Sequence, residues 1–261
     1  YTNKGEDHIS NVRRIVEQEQ IGGLILMQDD AAREITLVNE FQSKSKVPLM
    51  IGMDAEWGLF QRIAAAHKFT WAMTLGAIQD KNLITQMAAK IAEDSKRMGI
   101  NWDFAPVVDV NTNPDNPIIG NRSFGSEVQN VVSSALAYSN GLQDNRILAA
   151  IKHFPGHGDT STDSHFDLPV VAHNLDRLNA VELAPFKALM DKGIGCVMVA
   201  HLYVPALEKE NGIPASISKN IIAGLLKEKF GYKGLIITDA LNMGAVAKRY
   251  KPGELDALAF K

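Results

Sequence analysis

The sequence predicts an α/β chain of the (β/α)8 TIM-barrel type, with six strands visible. Three observations predict it. Six short apolar runs alternate with amphipathic stretches of helical length. Several of those runs show little internal alternation, as strands covered on both faces do. A polar residue closes almost every run: Gln28, Asp54, Asp109, Lys152-His153, His201 and Asp239. An open doubly wound sheet gathers its ligands at one switch point, whereas a barrel gathers them from many strand ends.

The elements follow in order. A helical stretch, Glu6–Gln20, precedes the first apolar run, Gly22–Gln28. Ala31–Ser43 is the next amphipathic segment and leads to the run Pro48–Asp54. In Lys81–Met98 the apolar Leu83, Ile84, Met87, Ala88, Ile91 and Met98 form a stripe that Lys90, Glu93, Asp94 and Lys96 mostly avoid. The third run, Asn101–Val110, is followed by the helix Glu127–Asp144 and the fourth run, Ile147–Phe154. Leu175–Asp191 then precedes Gly195–Leu202, and Lys219–Phe230 precedes Leu235–Ala240. Ser218 is placed to cap the helix that starts near Lys219, and Gly231 to stop it. A full barrel has eight strands, so a first strand and a last βα unit are expected outside this sequence. No Gly-x-Gly-x-x-Gly or Walker-type loop follows any strand, which argues against nucleotide binding.

The 261 residues suffice for a large core without disulfides. Formal net charge is −3 with scattered basic residues, so no global field recruits nucleic acid or an anionic membrane. Lys227, Lys229 and Lys233 read as a solvated helix end. The lone Cys196 sits in an apolar run and reads as a buried, inert thiol. No apolar run reaches the roughly 18 residues a membrane span needs. The chain opens at Tyr1-Thr2-Asn3-Lys4 without Met, which predicts a removed upstream segment. The compartment is left open between bacterial cytoplasm and periplasm or exterior.

The densest chemistry lies in residues 152–165, Lys-His-Phe-Pro-Gly-His-Gly-Asp-Thr-Ser-Thr-Asp-Ser-His. A strand delivers Lys152 and His153 to the rim, and Pro155, Gly156 and Gly158 force an irregular loop. Turn chemistry alone does not call for three histidines and a lysine. In one reading Asp163 hydrogen-bonds one ring nitrogen of His165, fixes its tautomer and leaves the other to shuttle a proton. In another the histidines bind a metal, joined by His201 and Asp239, as in a metal-dependent barrel hydrolase. No visible early strand carries the His-x-His pair that such a site favours.

Asp239 follows Leu235-Ile236-Ile237-Thr238. A carboxylate at the mouth of a buried strand caps the next helix or serves as a nucleophile. Asp54 closes the second run and suits sugar hydroxyls or an N-cap. Arg62 lies eight residues beyond it, and Arg122 lies in the loop Gly120–Gly125.

Taken together, these stretches resemble glycoside hydrolase family 3, specifically its β-N-acetylglucosaminidases. The resemblance runs from about Gly22 to Ala245 and rests most on Lys-His-Phe-Pro-Gly-His-Gly-x-x-x-x-Asp-Ser-His at 152–165. Phe104–Val110, Ile119–Gly125 and Thr238–Met243 support it. The family usually reads Asp-Gln-Glu-Gly-Gly-Arg-Val-x-Arg where this chain has Asp54-Ala55-Glu56-Trp57-Gly58-Leu59-Phe60-Gln61-Arg62. Asp54 and Arg62 keep their spacing, while Leu59 and Trp57 depart, and Trp57 is either a stacking platform or packing.

The resemblance implies one catalytic barrel domain over 1–261, with a further C-terminal domain allowed in the full-length protein. It implies a retaining exo-β-N-acetylglucosaminidase acting on carbohydrate with terminal GlcNAc, such as peptidoglycan fragments, and needing neither cofactor nor metal. Asp239 would be the nucleophile and His165 the acid/base, oriented by Asp163. Asp54, Arg62, Arg122, Lys152, His153 and His201 would hold the sugar. A β-glucosidase or a phosphate-using phosphorylase on the same fold is the alternative.

Overall fold

The computed structural model describes residues 4–251 and 253–261. Its sheet has six strands: β1 Gly23–Ile25, β2 Met50–Met53, β3 Trp102–Asp103, β4 Leu148–Phe154, β5 Cys196–Val199 and β6 Leu235–Thr238. All neighbours pair in parallel, and spatial order equals chain order. Among the described strands the order does not reverse, so they form no switch point of the doubly wound kind. The main helices are α1 Glu6–Arg14, α2 Ala31–Lys44, α3 Lys81–Arg97, α4 Val128–Gln143 and the composite α5 over 175–190. After them come α6 Asn220–Lys229, α7 Gly244–Ala247 and α8 Glu254–Phe260. Among the described residues, no helix is long and apolar enough to cross a membrane.

The chain divides into two compact units. The first takes in the chain up to Trp71, then Asp80–Ala105 and Ala137–Ala149. Asp30 caps α2 by accepting from the amides of Ala32 and Arg33. The buried stripe of α3 is Ile84, Ala88, Ile91 and Ala92. Leu83 departs from the expected stripe and is 51% exposed. It lies one residue, about 100° of helix rotation, from Ile84. The α3–α4 crossing is tight: a side chain at Gly141 would meet the Thr85 carbonyl at 2.4 Å and the Ala88 methyl at 2.6 Å. Asn101 clamps the start of β2, accepting from the Ile51 amide at 2.8 Å and donating to the Leu49 carbonyl at 3.3 Å. Trp57 stacks on Trp71 with ring centroids 4.0 Å apart, so packing takes up one of its faces.

The second unit comprises Ala72–Gln79, Pro106–Leu136 and the chain from Ala150 on. The third apolar run is shorter as a strand than the sequence predicts. Only Trp102–Asp103 belongs to β3, although 103–110 is buried throughout. Pro106 has no amide hydrogen to give a ladder. The run rejoins the sheet further on, where Val108 donates to the Lys152 carbonyl and Lys152 donates to the Pro106 carbonyl. In α6 the Ser218 hydroxyl accepts from the Ile221 amide at 3.2 Å, and Gly231 in the left-handed region (φ 67°) ends the helix. Cys196 is buried in β5.

Candidate active site

The second unit holds most of the residues singled out from the sequence. The Asp239 amide continues the ladder beyond β6, donating to the Val199 carbonyl at 2.8 Å. Its side chain, partly exposed, accepts from the Ala240 amide at 2.7 Å. The next helix starts only at Gly244 with Met243 at its cap position, so Asp239 does not cap it.

His201, beyond the end of β5, does not offer a free nitrogen to a ligand. Nε2 lies 3.0 Å from the Ala240 carbonyl and Nδ1 lies 2.7 Å from the Ser216 hydroxyl. A carbonyl only accepts, so Nε2 carries the hydrogen and Nδ1 accepts from Ser216. Burial pushes the His201 pKa down, against the raising pull of the Asp239 charge and the Ala240 carbonyl. His201 is therefore a neutral strut beneath the Asp239–Ala240 turn. Both of its nitrogens are thus engaged by protein atoms, where the resemblance implies a pocket-lining residue and the metal reading a ligand.

Lys152 and His153 end β4, and both are buried. The peptide bonds Lys152–His153 and Phe154–Pro155 are cis. His153 Nδ1 lies 2.7 Å from Asp109 Oδ2, and its Nε2 lies 3.2 Å from Arg122 Nη2. A guanidinium only donates, so Nε2 accepts and Nδ1 holds the proton toward Asp109. Asp109 is wholly buried and also accepts from the His157 amide at 2.7 Å. Burial alone would raise its pKa, but the hydrogen bonds from His153 and from the His157 amide outweigh that and hold the carboxyl below its ordinary range.

The loop after β4 has two differently built halves. Its inner half passes so close to the Val110 carbonyl that a side chain at Gly158 would meet it at 1.9 Å. His157 is 1% exposed, with Nδ1 2.6 Å from the Thr160 hydroxyl and Nε2 3.2 Å from the Ser164 hydroxyl. Burial pushes its pKa down to about 4. The outer half carries the expected dyad. His165 Nδ1 lies 2.8 Å from Asp163 Oδ1, which also accepts from the His165 amide at 2.7 Å. The His165 side chain is 61% exposed, and its Nε2 faces no partner among the described hydrogen bonds. The His165 carbonyl accepts from the Gly244 amide at 3.0 Å, fastening this half beside the turn that follows Asp239.

In the other unit, Arg62 Nη2 contacts Asp54 Oδ2 at 2.5 Å, so that pair comes together as the spacing suggests. Asp109 and His157 are the residues that the sequence left without roles. Asp109 had shown itself only as a polar strand end, and His157 only as the middle histidine of the loop. A further group also went unnoticed. Asp159, His173 and Glu182 bring ligand-type atoms within 4.8 Å of one another, the one such group among the described residues. Arg177 already supplies positive charge there, 3.1 Å from Glu182 and 4.0 Å from Asp159.

The profile described as the glycosyl hydrolase family 3 N terminal domain matches residues 6–261. The chain belongs to glycosyl hydrolase family 3. Relatives within the family include the β-hexosaminidase A of Pseudoalteromonas piscicida, 37% identical, with 91% of this chain and 44% of that protein covered. The family 3 β-N-acetylglucosaminidase of Paenibacillus sp. str. FPU-7 superposes with a TM-score of 0.92 at 37% identity, over 99% of this chain and 50% of that one. NagZ of Neisseria gonorrhoeae, solved with N-trifluoroacetyl-D-glucosamine, gives 0.85 at 30% identity over 96% and 74%. The chain thus spans about half the length of the first two relatives. Family 3 membership accords with the expected barrel class, as does the strictly sequential parallel sheet.

Proposed function

We propose that this chain forms the catalytic barrel of a retaining exo-β-N-acetylglucosaminidase that releases terminal β-linked GlcNAc. The observation that carries this reading is the Asp163–His165 dyad. It presents one restrained imidazole with an open Nε2, on a loop fastened to the segment that follows Asp239. Asp239 attacks the anomeric carbon while His165 protonates the departing oxygen. The same His165 then takes a proton from water, which frees the sugar with retained configuration. Asp163 holds Nδ1–H, so the proton traffic runs through Nε2. Arg122, Lys152 and His153 form the polar floor for the sugar. The relatives named β-hexosaminidase and β-N-acetylglucosaminidase support the 2-acetamido sugar as substrate, as does the N-trifluoroacetyl-D-glucosamine complex.

The test is trapping with a 2-fluoro glycosyl fluoride followed by peptide mapping, with turnover of an aryl β-N-acetylglucosaminide measured with and without phosphate. The expected result is a covalent sugar on Asp239 and hydrolysis independent of phosphate. An adduct on any other residue, or an Asp239→Ala variant with full activity, refutes the assignment.

A further inference from the structure

The residue between the two members of the dyad has no role in the chemistry above. Ser164 is buried although its neighbours Asp163 and His165 are not, and its hydroxyl faces His157 Nε2 at 3.2 Å. The hydrogen-bond inventory fixes the direction of that bond. The Thr160 hydroxyl has one hydrogen, which it gives to the His157 carbonyl at 3.1 Å. Its oxygen is then free to accept from His157 Nδ1–H at 2.6 Å. Nε2 is left as an acceptor, so Ser164 donates to it. A neutral His157 is what such a bond needs, and its burial keeps it neutral. The His157 amide in turn rests on the buried Asp109, and its carbonyl accepts from the Asn116 side chain at 2.8 Å. His157 is thus fixed on both sides, while the loop it holds is exposed one residue later.

We propose that Ser164 and His157 are positioning residues for His165, resting on the reading of His165 as the acid/base. The Ser164–His157 bond draws the dyad loop down onto the immobile inner half. The amides of Gly244 and Ala245, donating to the carbonyls of His165 and Ser164, hold it from the side. Three fastenings then set where the imidazole stands, and Asp163 sets how it is turned. Without the hydroxyl the loop keeps its lateral contacts but is no longer drawn inward, and Nε2 of His165 stands off from the departing oxygen.

The test compares leaving groups in the intact protein. A phenyl leaving group needs protonation as it departs, and a 2,4-dinitrophenyl group does not. In Ser164→Ala, kcat/KM on the phenyl glycoside should fall by about tenfold or more, toward the loss that removal of a general acid gives. On the 2,4-dinitrophenyl glycoside it should change less than about threefold, since that departure draws little on proton transfer. His157→Gln, whose side-chain oxygen reaches the Nε2 position, should keep more phenyl activity than His157→Asn, which reaches only the Nδ1 position. Equal losses on both substrates, as misfolding or general loosening would give, overturn the proposal, and so does no loss on either. A wild type that hydrolyses neither glycoside overturns the glycosidase reading itself, and this inference falls with it.

Discussion

The two halves of the loop after β4 use one residue type for opposite purposes. In the inner half, His153 and His157 are buried, and both nitrogens of each ring are engaged by protein atoms. In the outer half, His165 is mostly solvent-exposed, and its one side-chain partner is the Asp163 carboxylate. Burial turns an imidazole into a fixed hydrogen-bonding bracket, because a neutral ring with two satisfied nitrogens has no reason to exchange protons. Exposure with one tethered nitrogen leaves the other free to do so. On the proposed reading, the inner half carries stability and the outer half carries rate.

The largest expected effect tests the outer half. His165→Ala should lower kcat/KM on an unactivated substrate by roughly 10²–10⁴, with the melting temperature unchanged. A fall in melting temperature of several degrees would break the division. Next is Asp109→Ala in the inner half, which strips buried donors on His153 and His157 of their acceptor. It should destabilise by about 3–5 kcal/mol in urea unfolding. A loss below about 1 kcal/mol would mean that the bracket does not bear on the fold.

The third effect sharpens the same point through pH. His157 has a folded pKa of about 4 against an ordinary value of 6.5. The unfolded state therefore binds more protons between those values, and stability falls as pH drops from about 6.5 to about 4. Asp109, held below its ordinary range, loses its stabilising effect in the same direction at lower pH. The His157 contribution amounts to roughly 3 kcal/mol across the window, and His157→Gln should flatten the decline. An equally steep decline in that variant would place the acid sensitivity elsewhere. The smallest effect is at Phe166, 69% exposed beside the acid/base. Phe166→Ala should leave stability within about 0.5 kcal/mol, and a larger loss would show the outer half to be packed after all.

Much of this was legible in the sequence where local rules suffice. The six strands and the helices between them follow from apolar periodicity, and they hold because two-sided burial of parallel strands leaves a plain composition signature. Asp163 and His165 pair because the single residue between them leaves a distance one turn can span. Asp54 and Arg62 lie eight positions apart on one short segment, and they too find each other. The hydrogen bonds of His201 were not legible, because a strand-end histidine looks the same in sequence whether its nitrogens face a cavity or a neighbouring carbonyl. Leu83 was misplaced because an apolar residue one step off the stripe still looks amphipathic.

The sequence by itself determined the class of fold and the pairing of Asp163 with His165, since each depends on spacings of a few residues along one segment. Only the tertiary structure decided which histidine rings are engaged on both nitrogens. That choice depends on whether residues 44 and 15 positions away, Asp109 for His153 and Ser216 for His201, arrive within hydrogen-bonding distance. A ring's protonation follows from burial and from partners that distant chain segments bring, and no local pattern encodes either.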